Sequence, residues 1–528
     1  MDYPAGAEPM KSTGGFRWNV LTIICMAVFI MVIDTTIMNV SITALVTDLN
    51  TDVPTIQAII AIYALVMASF MLIGGKLQDV IGRKKAFLAG IAVYGVGTFT
   101  ASMSTNATML LIGWSILEGI GAILMMPATT TFLTSTYAGS DRAFAFGMWG
   151  GIGAAGAAFG PIIGGYLTTY YSWRWAFRLE LLVVVMIIIF SYLLTESSPT
   201  LKWRDLDFIG TTLSFFGLGS IVTGILLLKN VEAWGSIPLI IGAGLLLMAA
   251  FWFWQKHRLR TGKNPLVDVG VFKNRTFTLG NGIGTIQNIV IAGFLFIIPI
   301  FLQSVTGVSA FETGLALLPM SVMIFIFSIG GARLSAFLSP KWLLAGGLAL
   351  AIVGTVILRD VFSLSTTIPD IIPGSMLFGI GIGVILSQIT NLTLSAVDEK
   401  HSTDAAGALN TLRQLGTSLG TALIGAILLI FIFSGLLSGI AQEYPTLQES
   451  TDEEMASGLQ TWVEKMQTTD ISNIPAGTQE KAARIADQAI SSGMYRCFDA
   501  MAILLVIAFL AALALPGSPK PRREEEKK

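Results

Sequence analysis

Charge is scarce in this sequence. Only 12% of its 528 residues are Asp, Glu, Lys or Arg, about half the share found in soluble domains. With 53% hydrophobic residues and a mean hydropathy of +0.73, the scarcity excludes an ordinary soluble domain and points to a polytopic membrane protein. The few charges almost cancel, to a net -1, so no field favours a nucleic-acid partner. Two cysteines, Cys25 and Cys497, make neither a disulfide framework nor a metal site. Two histidines, His257 and His401, fall between apolar runs and leave the membrane without a histidine relay. A phosphate-binding loop is missing too: Gly75 and Lys76 are followed by Leu77, where the motif requires Ser or Thr. ATP is therefore not the driver, no cofactor is expected, and no nucleophile–base pair suggests an enzyme.

What is present is a series of apolar runs, each about 20 residues long and able to span a bilayer. Fourteen are expected: Trp18–Asn39, Ile56–Gly75, Ala86–Met103, Thr108–Pro127, Ala143–Leu167, Arg174–Leu193, Phe208–Leu228, Ile237–Trp254, Phe277–Gln303, Thr313–Arg333, Trp342–Arg359, Asp370–Leu394, Asp404–Phe433 and Cys497–Pro516. The first run has no small-residue cleavage site after it, so no cleavable leader is expected. Lys and Arg gather on the even-numbered loops, as in Lys76, Arg83, Lys84 and Lys85, then Arg142, then Lys202 and Arg204. By the positive-inside rule both termini are then cytoplasmic, which demands an even number of spans. Gly74–Arg83 and Gly330–Lys341 read as an internal repeat, the plan of two half-bundles around a central site. The expected division is a cytoplasmic N-terminus (1–17), a six-helix bundle (18–193), an inserted pair (208–254), a second six-helix bundle (277–516) with an extracytoplasmic loop (434–496), and a charged tail (517–528).

Span 5 is unusually rich in glycine: Gly147, Gly151, Gly156, Gly160, Gly164 and Gly165, with Pro161 among them. Near-fourfold spacing gives a helix one flat face on which another backbone packs closely, either statically or as a sliding surface. Gly151, Gly153 and Gly156 also match a dinucleotide fingerprint, but that motif has meaning only between a strand and a helix. After span 2, Gly75, Lys76, Asp79, Gly82, Arg83 and Lys84 read as a tight turn whose basic cluster faces headgroups. Asp79 is expected to cap a helix start or to latch onto Arg142; a bare topology anchor is the alternative.

Charged residues inside spans cost about 2.5–3.5 kcal/mol each on insertion scales, so each is a functional candidate. They are Asp34, Glu118, Arg178, Glu180 and Arg413. A carboxyl group removed from water can load and release protons in the physiological range. For Arg178 and Glu180, an interfacial or structural pairing is the competing reading. Tyr63, Gln287, Asn288, Gln388, Asn391, Asn410 and Gln414 can line a cavity or bond neighbouring helices.

These segments together resemble the major facilitator superfamily, specifically its fourteen-helix drug:proton antiporters, over nearly the whole chain. Gly75–Lys84 is similar to the superfamily's helix 2–3 motif, Gly156–Gly165 to the exporters' helix 5 motif, and Asp34–Val40 to the branch's helix 1 signature. Trp173–Phe177 and Gly407–Gly416 are similar to further segments of that branch. The resemblance implies two six-helix bundles plus an inserted pair, a rocker-switch cycle, and proton-driven export of amphipathic, often cationic compounds. It also implies a coupling carboxylate at Asp34. Three positions depart from the pattern: Ser115 and Glu118 stand where an Arg and a Gln are usual, Thr43 replaces a Pro, and Glu180–Leu182 replaces Asn-x-Pro. An expected base is missing and acid has been added, so Glu118 and Glu180 are expected to share coupling or cation binding with Asp34. The leading expectation is a proton-coupled multidrug exporter of the cell membrane whose partners are protons, lipid and small molecules. An ion-coupled carrier for one metabolite or lipid-like solute, or a non-transporting receptor or scaffold, would use the same fold.

Overall fold

A computed structural model describes residues 18–516 apart from 138, 197–198, 200, 230–232, 335–337, 398–401 and 444–475. Fourteen long helices follow in chain order: α1 (Trp18–Val40), α2 (Val53–Ile81), α3 (Arg83–Ser102), α4 (Ala107–Thr136), α5 (Gly139–Tyr170), α6 (Arg174–Phe190) and α7 (Phe208–Leu226), then α8 (Ile237–Arg260), α9 (Arg275–Ser304), α10 (Ala310–Leu334), α11 (Pro340–Arg359), α12 (Ile368–Leu394), α13 (Ser402–Glu443) and α14 (Ala476–Leu513). Among the described residues there is no strand, and thirteen of these helices are long and apolar enough to cross a membrane. The exception, α3, opens on Arg83, Lys84 and Lys85, which dilute its apolar stretch, although it packs among its neighbours like the rest.

Backbone chemistry sets the helix ends. Asp52 caps α2 by accepting from the Thr55 amide at 2.7 Å, with Pro54 in the first turn, a position that needs no N–H. Ser309 and Glu312 cap α10 reciprocally: the Ser309 amide donates to Glu312 Oε2 at 2.8 Å, and the Glu312 amide to Ser309 Oγ at 3.2 Å. Apolar surface sorts by depth. α1 buries most of its circumference, whereas α8 leaves Leu239, Leu246 and Phe253 exposed, as a helix facing lipid does.

Several expected boundaries move. Residues 76–81 continue α2 as helix, so the turn between α2 and α3 narrows to Gly82, whose φ of 94° suits a residue without a Cβ. Asp79 lies inside α2 and does not cap α3; Gly82 occupies that N-cap without a side-chain bond. The Arg142 side chain, and with it the expected latch, lies outside the described residues. His257 sits in the last turn of α8 rather than in a loop. Within the expected 434–496 loop, helix persists to Glu443 and resumes at Ala476. The 42-residue α13 is therefore about 63 Å long, roughly twice a bilayer's hydrocarbon core. Residue 491 onward is braced to the end of α11: Ser491 Oγ donates to Phe362 O at 2.9 Å, and Arg359 Nε pairs with Asp499 at 2.8 Å.

Two halves meet along two seams, α2 against α13 and α5 against α10. Lys76, Arg83–Lys85 and Arg275 mark the basic end of the bundle. At the opposite end the halves are tied together. Gln57 Nε2 donates to Thr421 O at 2.9 Å, Gln303 Nε2 donates to Val40 O at 2.8 Å, and the Phe311 amide donates to Thr169 Oγ1 at 2.9 Å. The N-terminal half has its own brace there. Trp173 Nε1 donates to Asp48 Oδ2 at 3.0 Å, while Arg174 pairs with Asp48 and reaches Ser104 O at 2.6 Å.

The glycine face of α5 divides by partner. Gly156, Gly160 and Gly164 lie on α1, where a Cβ at Gly164 would come within 2.8 Å of Ile37 and one at Gly160 would overlap Thr36. Pro161 and Gly165 face α10, against Gly314 and Ala310 of the other half. The flat face is thus shared: Gly156, Gly160 and Gly164 pack within one half, and Pro161 and Gly165 meet the other.

Candidate functional site: a buried carboxylate triad

The interior of the N-terminal half brings together Asp34 of α1, Glu118 of α4 and Glu180 of α6, exposed by 0%, 0% and 1%. One oxygen from each lies within 4.8 Å of the others, so one small cation or ammonium group could touch all three. Local structure builds this meeting. Residues Leu111–Glu118 form a π-helical stretch that ends on Glu118, a widening that recurs at functional sites. Opposite it, Gly97 of α3 leaves the space for Glu118: a Cβ there would stand 2.8 Å from Glu118 Cγ.

Few donors reach the acids. Trp114 Nε1 donates to Asp34 Oδ2 at 2.9 Å, and Tyr94 Oη donates to Glu180 Oε2 at 3.2 Å. Asp34 Oδ1, both Glu118 oxygens and Glu180 Oε1 meet no donor in full bonding geometry, although the Tyr63 hydroxyl stands beside Asp34 and the Thr98 hydroxyl beside Glu118. Aromatic rings wall the pocket: Tyr63 stacks on Trp114 at 5.5 Å, and Phe177 meets Trp114 edge-on at 6.3 Å. Ser115, at the position expected to carry Arg, donates instead to Ile59 O at 2.7 Å. Among the described residues no Lys or Arg forms an ion pair with the three acids.

Of the residues expected to act together, Asp34, Glu118, Glu180 and Tyr63 do meet. Arg178 is exposed and lies over the Trp175 ring at 4.9 Å, on the outer face of α6 rather than in the pocket. Asn410, Arg413 and Gln414 sit on α13 in the other half, where the Arg413 guanidinium bonds Thr390. Trp114 and Tyr94, which donate to Asp34 and Glu180, are not among the residues the sequence singles out. Aromatic residues are frequent in membrane helices, and nothing in their spacing marks these two.

The sequence profile of the Major Facilitator Superfamily matches residues 24–216 and 207–421, about three quarters of the chain. The chain belongs to the Major Facilitator Superfamily. It is a multi-pass transport protein of the cell membrane and not an enzyme. A methylenomycin A resistance protein of Bacillus subtilis is 27% identical over 79% of this chain and 89% of its own length. A multidrug efflux pump of Mycolicibacterium smegmatis is 25% identical over 97% and 98%. Among solved structures, an inward-facing, unoccupied bacterial homologue of the human lysosomal transporter Spinster superposes with a TM-score of 0.64 at 14% identity, covering 95% of this chain and 98% of that one. That likeness concerns the fold.

Proposed function

We propose that this transporter is a secondary active exporter that moves hydrophobic or cationic small molecules out of the cell in exchange for protons, by alternating access. One observation carries the reading: three carboxyl groups share a buried pocket, and among the described residues no basic side chain pairs with them. Like charges at that separation repel by several kcal/mol at an effective dielectric near 20. Either protons or a bound cation relieves the repulsion, so loading one favours release of the other. Exchange follows if the pocket exposes its acids to one side at a time. The seams fit such a cycle, with the halves tied together at the end away from the basic loops, which we place in the cytoplasm. Drug-resistance and efflux proteins among the relatives support small-molecule substrates.

The test is proton movement in liposomes holding a pH-sensitive dye, with an imposed proton gradient and a panel of lipophilic cations. Substrate-triggered proton leak is expected from the unmodified chain and is abolished in Asp34→Asn. In Glu118→Gln the leak per cation falls. No leak with any cation, from protein shown to be folded, refutes proton antiport; an unchanged ratio in Glu118→Gln removes Glu118 from the coupling group.

A further inference from the structure

The C-terminal half holds a charge that the triad does not use. Arg413 stands about three turns into α13, where a cation costs about 2.5–3.5 kcal/mol on insertion scales. A guanidinium has five N–H donors. Here one of them bonds the neutral Thr390 hydroxyl of α12, and among the described residues Arg413 forms no ion pair. The neighbouring helices offer no acid at that depth: α9 and α11 contain none, and Glu312, Asp370, Asp404 and Glu443 stand in the end turns of α10, α12 and α13. Asn410, one turn earlier on the same face of α13, is partly exposed, and its amide bonds nothing among the described residues.

Helix register shows what surrounds Arg413. α9 and α13 run in parallel at a constant offset, with Gly416 packed on Thr285, Gly420 on Ile289 and Gly293 on Ile424. The same offset sets Gly282 opposite Arg413, and there the close packing lapses. Gly282 is exposed, and a Cβ added to it would find no atom within 4 Å. α12 runs antiparallel to α9, with Thr393 against Gly280 and Ile389 against Gly284, which brings Thr390 to the same depth. Three helices thus leave an opening floored by glycine and edged by a guanidinium, a hydroxyl and an amide. The depth is shared with the acids. Along the α2–α13 seam Gly407 lies by Leu72, and Ser418 Oγ donates to Ala61 O at 2.8 Å, so Arg413 is level with Val66. Val66 packs on Gly119, the residue after Glu118.

We propose that this opening is a carboxylate subsite, and that the cargo of the transporter includes amphiphiles carrying a carboxylate as well as an amine. The planar guanidinium presents paired N–H groups that match the two oxygens of a carboxylate. Asn410 adds an amide donor, and Gly282 puts no side chain in the way. Charge is then divided between the halves: the N-terminal acids handle protons and ammonium groups, and Arg413 handles the anion. A zwitterion complements both, whereas a plain cation leaves the guanidinium uncompensated. The inference rests on the export reading for the fate of the ammonium group, but the carboxylate contact is read by binding alone.

The probes are Nε-dansyl-lysine, a zwitterion, and dansylcadaverine, which is the same molecule without the carboxylate. Their binding to the full chain in lipid nanodiscs is followed by the saturable rise in dansyl fluorescence over empty nanodiscs. Dansyl-lysine should bind the unmodified chain about tenfold more tightly, the worth of a hydrogen bond to a charged group. Arg413→Gln should abolish that preference while dansylcadaverine binds as before, and Arg413→Lys, which keeps the charge, should retain part of it. Gly282→Leu fills the opening without touching the guanidinium and should also lower dansyl-lysine more than dansylcadaverine. No preference in the unmodified chain, or a preference that survives Arg413→Gln, overturns the proposal. Equal loss of both probes in Arg413→Gln and in Gly282→Leu assigns Arg413 to packing and overturns it too. Proton leak driven by dansylcadaverine, beside binding that is blind to Arg413, sinks the subsite alone. A preference that depends on Arg413, with no proton leak from any substrate, keeps the subsite and sinks proton antiport instead.

Discussion

Two chemically identical substitutions nine residues apart on α5 should have opposite effects. At Gly151 an added methyl meets nothing within 4 Å, so Gly151→Ala only restricts the unfolded chain and improves helix propensity, a gain of about 0.5–1 kcal/mol. At Gly160 the same methyl overlaps Thr36 Oγ1 and stands 2.8 Å from Thr36 Cβ. Thr36 cannot simply yield: its hydroxyl is engaged with Val32 O at 3.1 Å and Ile33 O at 3.0 Å inside α1, and the side chain is 7% exposed. Turning it away loses a buried hydrogen bond worth about 1 kcal/mol, and moving α1 instead adds an overpacking penalty of about 1–3 kcal/mol. The pair should therefore differ by about 1.5–4 kcal/mol. Thermal unfolding in detergent, followed by intrinsic tryptophan fluorescence, should give Gly151→Ala a midpoint at or above that of the unmodified chain and Gly160→Ala one several degrees lower. Thr36→Ala added to Gly160→Ala removes the hydroxyl overlap but keeps the Cβ contact, so part of the loss should return. Equal midpoints for the two single variants would refute the division of the glycine face into packed and open segments.

Two further expectations follow from single contacts. Trp114→Phe keeps an aromatic ring beside Tyr63 but deletes the 2.9 Å donor to Asp34, a hydrogen bond to a carboxyl group worth about 1.5–3 kcal/mol when ionised; the proton-leak assay should show its pH dependence displaced, and an unchanged profile would mean that Trp114 does not tune Asp34. Asp207→Leu should destabilise the inserted pair by about 3 kcal/mol or more, because Asp207 accepts from the Gly210 amide at 2.9 Å, Trp254 Nε1 at 2.8 Å and Gln255 Nε2 at 2.8 Å, with Arg258 at 3.7 Å; faster proteolysis between α7 and α8 would register it.

Helices were the legible part of this protein. Each apolar run was long enough to be recognised by itself, and a bilayer forces such a run to satisfy its backbone bonds internally. Helix ends were less legible where helix leaves the membrane. Gly75 and Lys76 looked like punctuation, yet α2 continues to Ile81, because a helix ends where its bonds lose partners and not where hydropathy falls. The same reason hides the extensions of α13 and α14, whose polar turns resemble a loop in composition. Asp79 shows the consequence for function. As a turn residue it was a plausible cap; inside α2 it has helical neighbours and a different reach.

The triad was legible as three suspicious residues but not as one site. Asp34, Glu118 and Glu180 stand far apart in sequence, on three helices, and each alone is consistent with a lone coupling acid or a structural bond. Convergence depends on rotation of each helix about its axis to within a fraction of a turn, which packing decides through details such as Gly97 opposite Glu118. The π-helical stretch matters for the same reason: inserting extra arc before Glu118 turns the rest of α4 relative to a regular helix, and no hydropathy period reports it. Ser115 was the one position where sequence spoke about the pocket as a whole. A hydroxyl in place of an arginine bonds the α2 backbone at Ile59, and among the described residues no Lys or Arg pairs with the acids. If that vacancy is the basis of cation handling, Ser115→Arg should fill it from within. The guanidinium would place one permanent positive charge beside the three acids, and substrate and proton would compete less for them. Export of neutral hydrophobic compounds should then outlast export of lipophilic cations in the same liposomes, and loss of both to the same degree in folded protein would show that the missing base is incidental.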